Sequence, residues 1–215
     1  VIEREDLQNL PKSLIEPWPE LPSHYESVFH YTESAALESI AKNGIQHFSE
    51  RDSQLSVSQR HLLAFDTYCD KISEKLGLSL RRSKATFLAL PSEIDRSNWS
   101  RFGGVKLEIK VDPEVAQVLD RQLHSFGVIA YYRTPEGRQW LEEEYPSGSE
   151  EREEVEKILD TAVTESWDDY IEKYLKNAVS LAEYLQLSEA DQLKIEKPEV
   201  IFPSSVDPQF IRIAH

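Results

Sequence analysis

Val105-Lys106-Leu107-Glu108-Ile109-Lys110-Val111 alternates apolar and charged residues without a break. A period of two predicts a half-buried strand with Val105, Leu107, Ile109 and Val111 on one face. Val28-Phe29-His30-Tyr31-Thr32 also carries strand preference, but Ala35, Ala36, Leu37, Ile40 and Ala41 then recur at three- and four-residue steps. The change of period at His30 predicts a short strand that delivers a histidine and a threonine to the mouth of a helix. Thr32 or Ser34 is placed to cap that helix. Gly44 suits the left-handed position past its last turn, and Ile45 is set to pack back on it.

The same reading extends along the chain. Leu7, Leu10, Leu14 and Ile15 suit a helical turn or two, and Pro17, Pro19 and Pro22 then force an extended lead-in with Trp18 as an anchor. Gln46 to Val57 is polar and reads as a surface loop. His61 to Leu76 reads as a helix stopped by Gly77, with Cys69 as a small core residue. His47 and His61 lack the ligand spacing of a metal site and are expected to be solvent-exposed or incidental. Thr86 to Leu90 is an apolar strand with Arg81, Arg82 and Lys84 at its start. Ser97 to Gly104 is a loop carrying Trp99 and Phe102, Pro113 to Arg121 is helix-like, and Gly127 to Tyr132 reads as another strand. Two or three amphipathic helices are expected from Glu150 to Leu187, after a break at Pro146-Ser147-Gly148. Pro198 cannot donate to a ladder, so Glu199 is expected where a late strand begins. Val206 to Ile213 then supplies a turn and a final strand.

The 215 residues suit one domain with an elaboration: a lead-in over 1–24, then a domain over 25–215 with a helical insertion at about 137–190. No run approaches the roughly 20 apolar residues that cross a bilayer, so no membrane partner is expected. One cysteine excludes an intrachain disulfide. The opening Val-Ile-Glu-Arg-Glu-Asp has no apolar signal, which favours the cytoplasm, reached directly or by delivery as an effector. Net charge is −15, and thirteen acidic residues stand against Arg152 and Lys157 between Glu142 and Glu172. Such a face repels phosphate backbones and suits a solvated surface or a basic partner protein. A basic groove elsewhere stays open, with Arg81, Arg82, Lys84, Arg96 and Arg101 in mid-chain.

His30-Tyr31-Thr32 followed by Leu37-Glu38-Ser39-Ile40-Ala41-Lys42-Asn43-Gly44-Ile45 resembles the opening of the ADP-ribosyltransferase fold. Glu199-Val200-Ile201-Phe202-Pro203 with Val206-Asp207-Pro208-Gln209-Phe210-Ile211-Arg212-Ile213 resembles its last motif. The resemblance spans roughly 28–135 and 197–213 and implies an α+β fold whose split mixed or antiparallel sheet carries an acidic helical insertion. It implies NAD as substrate and no metal, with Glu199 and His30 catalytic. His30, Tyr31, Thr32, Gly44, Arg82 and Phe87 would hold the dinucleotide, with Arg82 or Arg81 on the diphosphate and Phe87 over nicotinamide.

The implied reaction is mono-ADP-ribosyl transfer to a protein or nucleic-acid acceptor, in the manner of a toxin or effector. As nicotinamide leaves, the ribose becomes oxocarbenium-like, and a carboxylate on a ribose hydroxyl stabilises that charge. Lys197 stands where the arginine-modifying branch has Gln or Glu, two residues before the catalytic glutamate. Two other readings remain: a related RNA 2′-phosphotransferase, disfavoured by the −15 balance, and a non-catalytic acidic module for a basic protein.

Overall fold

The alternating run forms the strand its period requires, with every second side chain from Val105 to Val111 buried. The structure, a computed structural model, describes residues 10–47, 56–94 and 104–214. In chain order the strands are β1 (Glu26–Thr32), β2 (Thr86–Leu88), β3 (Val105–Val111), β4 (Gln117–Asp120), β5 (Val179–Ser180), β6 (Pro198–Phe202) and β7 (Ile211–Ile213). The helices are α1 (Leu37–Asn43), α2 (Val57–Lys75), α3 (Pro91–Ile94), α4 (Arg121–Tyr131), α5 (Pro135–Glu144), α6 (Glu150–Thr161), α7 (Trp167–Lys176), α8 (Leu181–Gln186) and α9 (Glu189–Gln192). The fold is α+β with antiparallel sheets. It divides into a sheet unit (Val1–His47, Lys84–Leu119, Val179–His215) and a helical unit (Phe48–Ser83, Asp120–Ala178). The helical unit therefore starts ahead of residue 137, draws α2 from before β2, and ends at Ala178.

The sheet unit holds a three-stranded sheet, β1-β3-β7, and a four-stranded sheet, β2-β6-β4-β5. β1 pairs with β3 along its whole length, from Glu26↔Val111 to Thr32↔Val105. Val28, Leu107, Ile109 and Ile211 join Leu88 and Val200 in one core, which Leu37, Ile40 and Ile45 also enter. Gly44 closes α1 at φ 72°, a backbone region that side chains disfavour. It also lies against the later turn: a Cβ there would fall 1.8 Å from the Val206 carbonyl oxygen, and Ile45 and Val206 exchange backbone hydrogen bonds at 3.0 Å. The lead-in is tied down at Arg212, which donates to the carbonyls of Glu16 and Pro17 with its guanidinium 4.7 Å from the Trp18 ring centroid.

The helical unit is built on capped amphipathic helices. Ser56 and Gln59 form a reciprocal capping box at the start of α2. Ser149 and Ser166 cap α6 and α7. Glu150, Glu151 and Glu153 fill the first turn of α6, where negative charge favours the helix dipole. Arg133 donates to the Leu159 and Val163 carbonyls at 2.7 Å each, satisfying acceptors around the end of α6. α7 approaches α4 at Gly127, where a Cβ would meet Ile171 Cδ1 at 2.7 Å.

Several expectations are corrected. Gly127–Tyr132 is the second half of α4 and the Tyr132 that follows it, not a strand. Asp120 caps that helix by accepting from the Gln122 amide, and packing on α7 overrides the strand preference of Val128 and Ile129. The expected helix over Pro113–Arg121 does not form: one turn closes on the Asp112 carbonyl, β4 follows, and Arg121 opens α4. Neither Thr32 nor Ser34 caps a helix; a 3-10 turn over Ser34–Ala36 precedes α1, and neither carries a side-chain cap. Among its described residues the lead-in holds one short 3-10 turn, Lys12–Leu14. Leu7, most of the Gln46–Val57 loop, and Arg96, Trp99, Arg101 and Phe102 lie outside the described residues. Gly44→Ala is expected to destabilise the protein by at least about 2 kcal/mol through positive-φ strain and the Val206 clash, measured as a lower urea midpoint at unchanged slope.

Candidate functional site

Alternation along β1 puts Val28, His30 and Thr32 on the face opposite Phe29 and Tyr31. On its far edge β1 makes, among the described residues, one bridge, in which the Phe29 amide donates to Ala89 at 2.9 Å and the Ala89 amide returns a bond at 2.8 Å. Beyond that rung the His30 ring reaches across, its Nδ1 3.2 Å from the Phe87 carbonyl oxygen. A carbonyl can only accept, so Nδ1 is the donor in this contact. Burial of Thr32 at the strand end and of Val28 fixes the rotation of the strand, and with it the direction of the imidazole.

Phe87 and Glu199 come from the neighbouring strands. β2 pairs with β6 as Phe87↔Ile201 and Leu88↔Val200, and β6 lies between β2 and β4. Leu88 and Val200 belong to the core, so Phe87, Ile201 and Glu199 share the opposite face. Glu199 follows Pro198 where β6 starts, as expected, but it is 2% exposed. That excludes a solvated edge charge. A buried carboxylate must be held by polar partners, and it acts more strongly on nearby developing charge than it would in water. His30, Phe87 and Glu199 thus sit on three successive strands, β1, β2 and β6, but the Phe29–Ala89 bridge puts the Phe87 and Glu199 side chains on the Phe29 face, whereas His30 alternates to the Val28 face.

The other expected site residues go elsewhere. The Tyr31 ring packs beside Ala89 and Phe29, on the face away from His30. Gly44 meets Val206 and Pro208. Arg82 belongs to the helical unit and is buried, donating from Nε to Asp66 Oδ1 at 2.6 Å and from Nη1 to the Tyr174 hydroxyl. Arg81 is occupied with the Leu78 and Leu80 carbonyls at 2.8 and 2.9 Å.

Around Arg82 lies a polar cluster that the sequence reading missed. His124 Nε2 is 3.3 Å from Asp66 Oδ1, and Asp66, Cys69 and His124 are all buried. Burial raises the Asp66 carboxyl, but the Arg82 guanidinium and His124 outweigh it and hold Asp66 below its ordinary value. Burial pushes the Cys69 thiol well up, so this is not a reactive thiolate. The ligand atoms of Asp66, Cys69 and His124 lie within 4.8 Å of one another, a set that could hold a metal ion. A cation there would compete with the guanidinium for Asp66 Oδ1. The signal in the sequence is Asp66 itself, an acid inside the apolar stripe Leu62, Phe65, Cys69 and Ile72. His61 also needs correction: it stacks on Trp140 with centroids 4.7 Å apart and planes at 4°, and its Nε2 is 3.0 Å from Glu143 Oε2.

Asp66→Asn is expected to cost about 3–5 kcal/mol at pH 7, because it strands a buried guanidinium. Since the folded carboxyl titrates below its ordinary 3.8, the wild-type advantage is present above that value and is lost as pH falls through the folded-state value. Urea unfolding of both proteins from pH 7 to pH 2.5 should therefore show the gap closing at the acid end. No protein-family model, no curated protein and no solved structure matches the chain.

Proposed function

We propose that the chain is an NAD-dependent mono-ADP-ribosyltransferase. The observation that carries this is the strand order at the Phe29–Ala89 bridge, which sets His30, Phe87 and Glu199 on three adjoining strands. His30, held by its Nδ1 contact with the Phe87 carbonyl, is assigned to the adenosine ribose. The Phe87 ring covers the nicotinamide. Glu199 accepts from a hydroxyl of the nicotinamide ribose. The bond from C1′ to the nicotinamide nitrogen breaks, and neutral nicotinamide leaves with the bonding pair. The carboxylate stabilises the positive charge that spreads over C1′ and the ring oxygen. An acceptor nucleophile then bonds to C1′ and gives its proton to a base, a role open to Glu199.

Glu199→Gln keeps the shape of the buried side chain and removes its charge. It is expected to lower nicotinamide release from NAD by at least about a hundredfold while leaving the NAD-induced thermal shift in place. If wild-type protein releases no nicotinamide with any acceptor tried and NAD gives no thermal shift, the proposal fails and a binding module is the better reading.

Lys197, an exposed cation two residues before Glu199, presents no carboxylate or amide oxygen to a guanidinium. Arginine is therefore not the preferred acceptor. Mass spectrometry of proteins incubated with enzyme and NAD should find ADP-ribose mainly on other groups, and a preponderance of modified arginines would contradict this.

A further inference from the structure

The two faces of the three-stranded sheet differ in kind. One is core. The other presents Phe29 and Tyr31 from β1, Lys106, Glu108 and Lys110 from β3, and Arg212 from β7, all partly exposed. Among the described strand residues of this face, three cations stand against one carboxylate, in a chain of net charge −15. Chance placement of this composition would more often leave such a patch acidic, so the local sign inversion marks the surface.

The cations are interleaved with rings. Lys106 Nζ lies 4.3 Å from the Phe29 ring centroid, and no carboxylate pairs with it among the described residues. Arg212 lies over Trp18 and donates to the carbonyls of Glu16, Pro17, Gln209 and Ile211, with the Glu16 carboxylate near enough to act on its charge. Lys110 is shared more widely, donating to Ser27 Oγ at 2.6 Å with Glu108 at 3.5 Å. Phe29 and Tyr31 project from one strand two residues apart, about 7 Å.

We propose that this face binds single-stranded nucleic acid, with bases stacking on Phe29 and Tyr31 and phosphates meeting Lys106, Lys110 and Arg212. Rings at strand spacing suit successive unstacked bases, and every base offers a π-face, so the binding is tolerant of sequence. A duplex keeps its bases stacked on one another and would use only the cations. An acidic peptide would leave the rings without partners. The binding stands on the sheet face and does not rest on the transfer reaction.

The test is fluorescence anisotropy with a labelled oligothymidylate and the full chain at low salt. Saturable binding is expected, weakening by roughly tenfold to twentyfold for a fourfold rise in salt if about three phosphates are engaged. Lys106→Glu should weaken it by about tenfold. Phe29→Leu, which keeps the packing on Ala89 but removes the ring, should weaken it by about fivefold or more. Lys176→Glu, on α7, should leave it unchanged. Ultraviolet crosslinking of the wild type should place nucleotide adducts on the peptide containing Phe29 and Tyr31. The proposal is overturned by absence of saturable binding, by equal binding of duplex, by binding insensitive to both sheet variants, by adducts confined to α5–α7, or by capture on phosphatidylserine vesicles without capture of the oligonucleotide.

Discussion

Among the described residues one antiparallel rung, Phe29 to Ala89, joins the two sheets of the sheet unit. Two hydrogen bonds are a small contribution to stability, about 1 kcal/mol each. Their importance is positional. One rung brings β1 alongside the end of β2 without zipping the strands together. The next place along the edge is therefore taken by a side chain, and His30 takes it with a bond to the Phe87 carbonyl. A longer ladder would bury that carbonyl against β1 backbone and turn the imidazole away. The rung sets the register of β1 against β2, while the shared core of Val28, Leu88, Leu107 and Val200 holds the sheets together.

The sequence told most where one face of an element was uniformly apolar. Val105–Val111 showed its strand and register in its own alternation, and Gly44 showed the end of α1 because few other residues suit its backbone. The end motifs pointed to His30 and Glu199, but not to the burial of Glu199. β4, the strand beside β6, reads as helix in the sequence because Pro113 to Arg121 has no clean period. The run from Phe126 to Tyr132 is apolar throughout, so it carries no period at all, and the choice between strand and helix fell to its packing partner α7. The Arg82 cluster was out of reach for a different reason: its partners lie 16 and 92 residues away, and only Asp66 broke the local pattern.

The two units handle charge differently. In the helical unit the acidic residues are spread along α5, α6 and α7, while the buried Asp66 carboxylate is matched by the Arg82 guanidinium and the His124 imidazole. In the sheet unit a buried glutamate lies on a central strand, and cations gather on the outer face of β1-β3-β7. Net charge alone would have assigned one character to the whole surface. The distribution along alternating strands assigns two.

The order of synthesis bears on the central place of β6. By the time Ala178 leaves the ribosome, every residue of the helical unit has been made, whereas the slot between β2 and β4 still awaits a strand some twenty residues further on. Until then β2 and β4 present unpaired backbone and hydrocarbon to their surroundings, the condition under which nascent chains aggregate or engage chaperones. The helices have no such wait, so the two halves of the nascent protein are exposed to misfolding for unequal times.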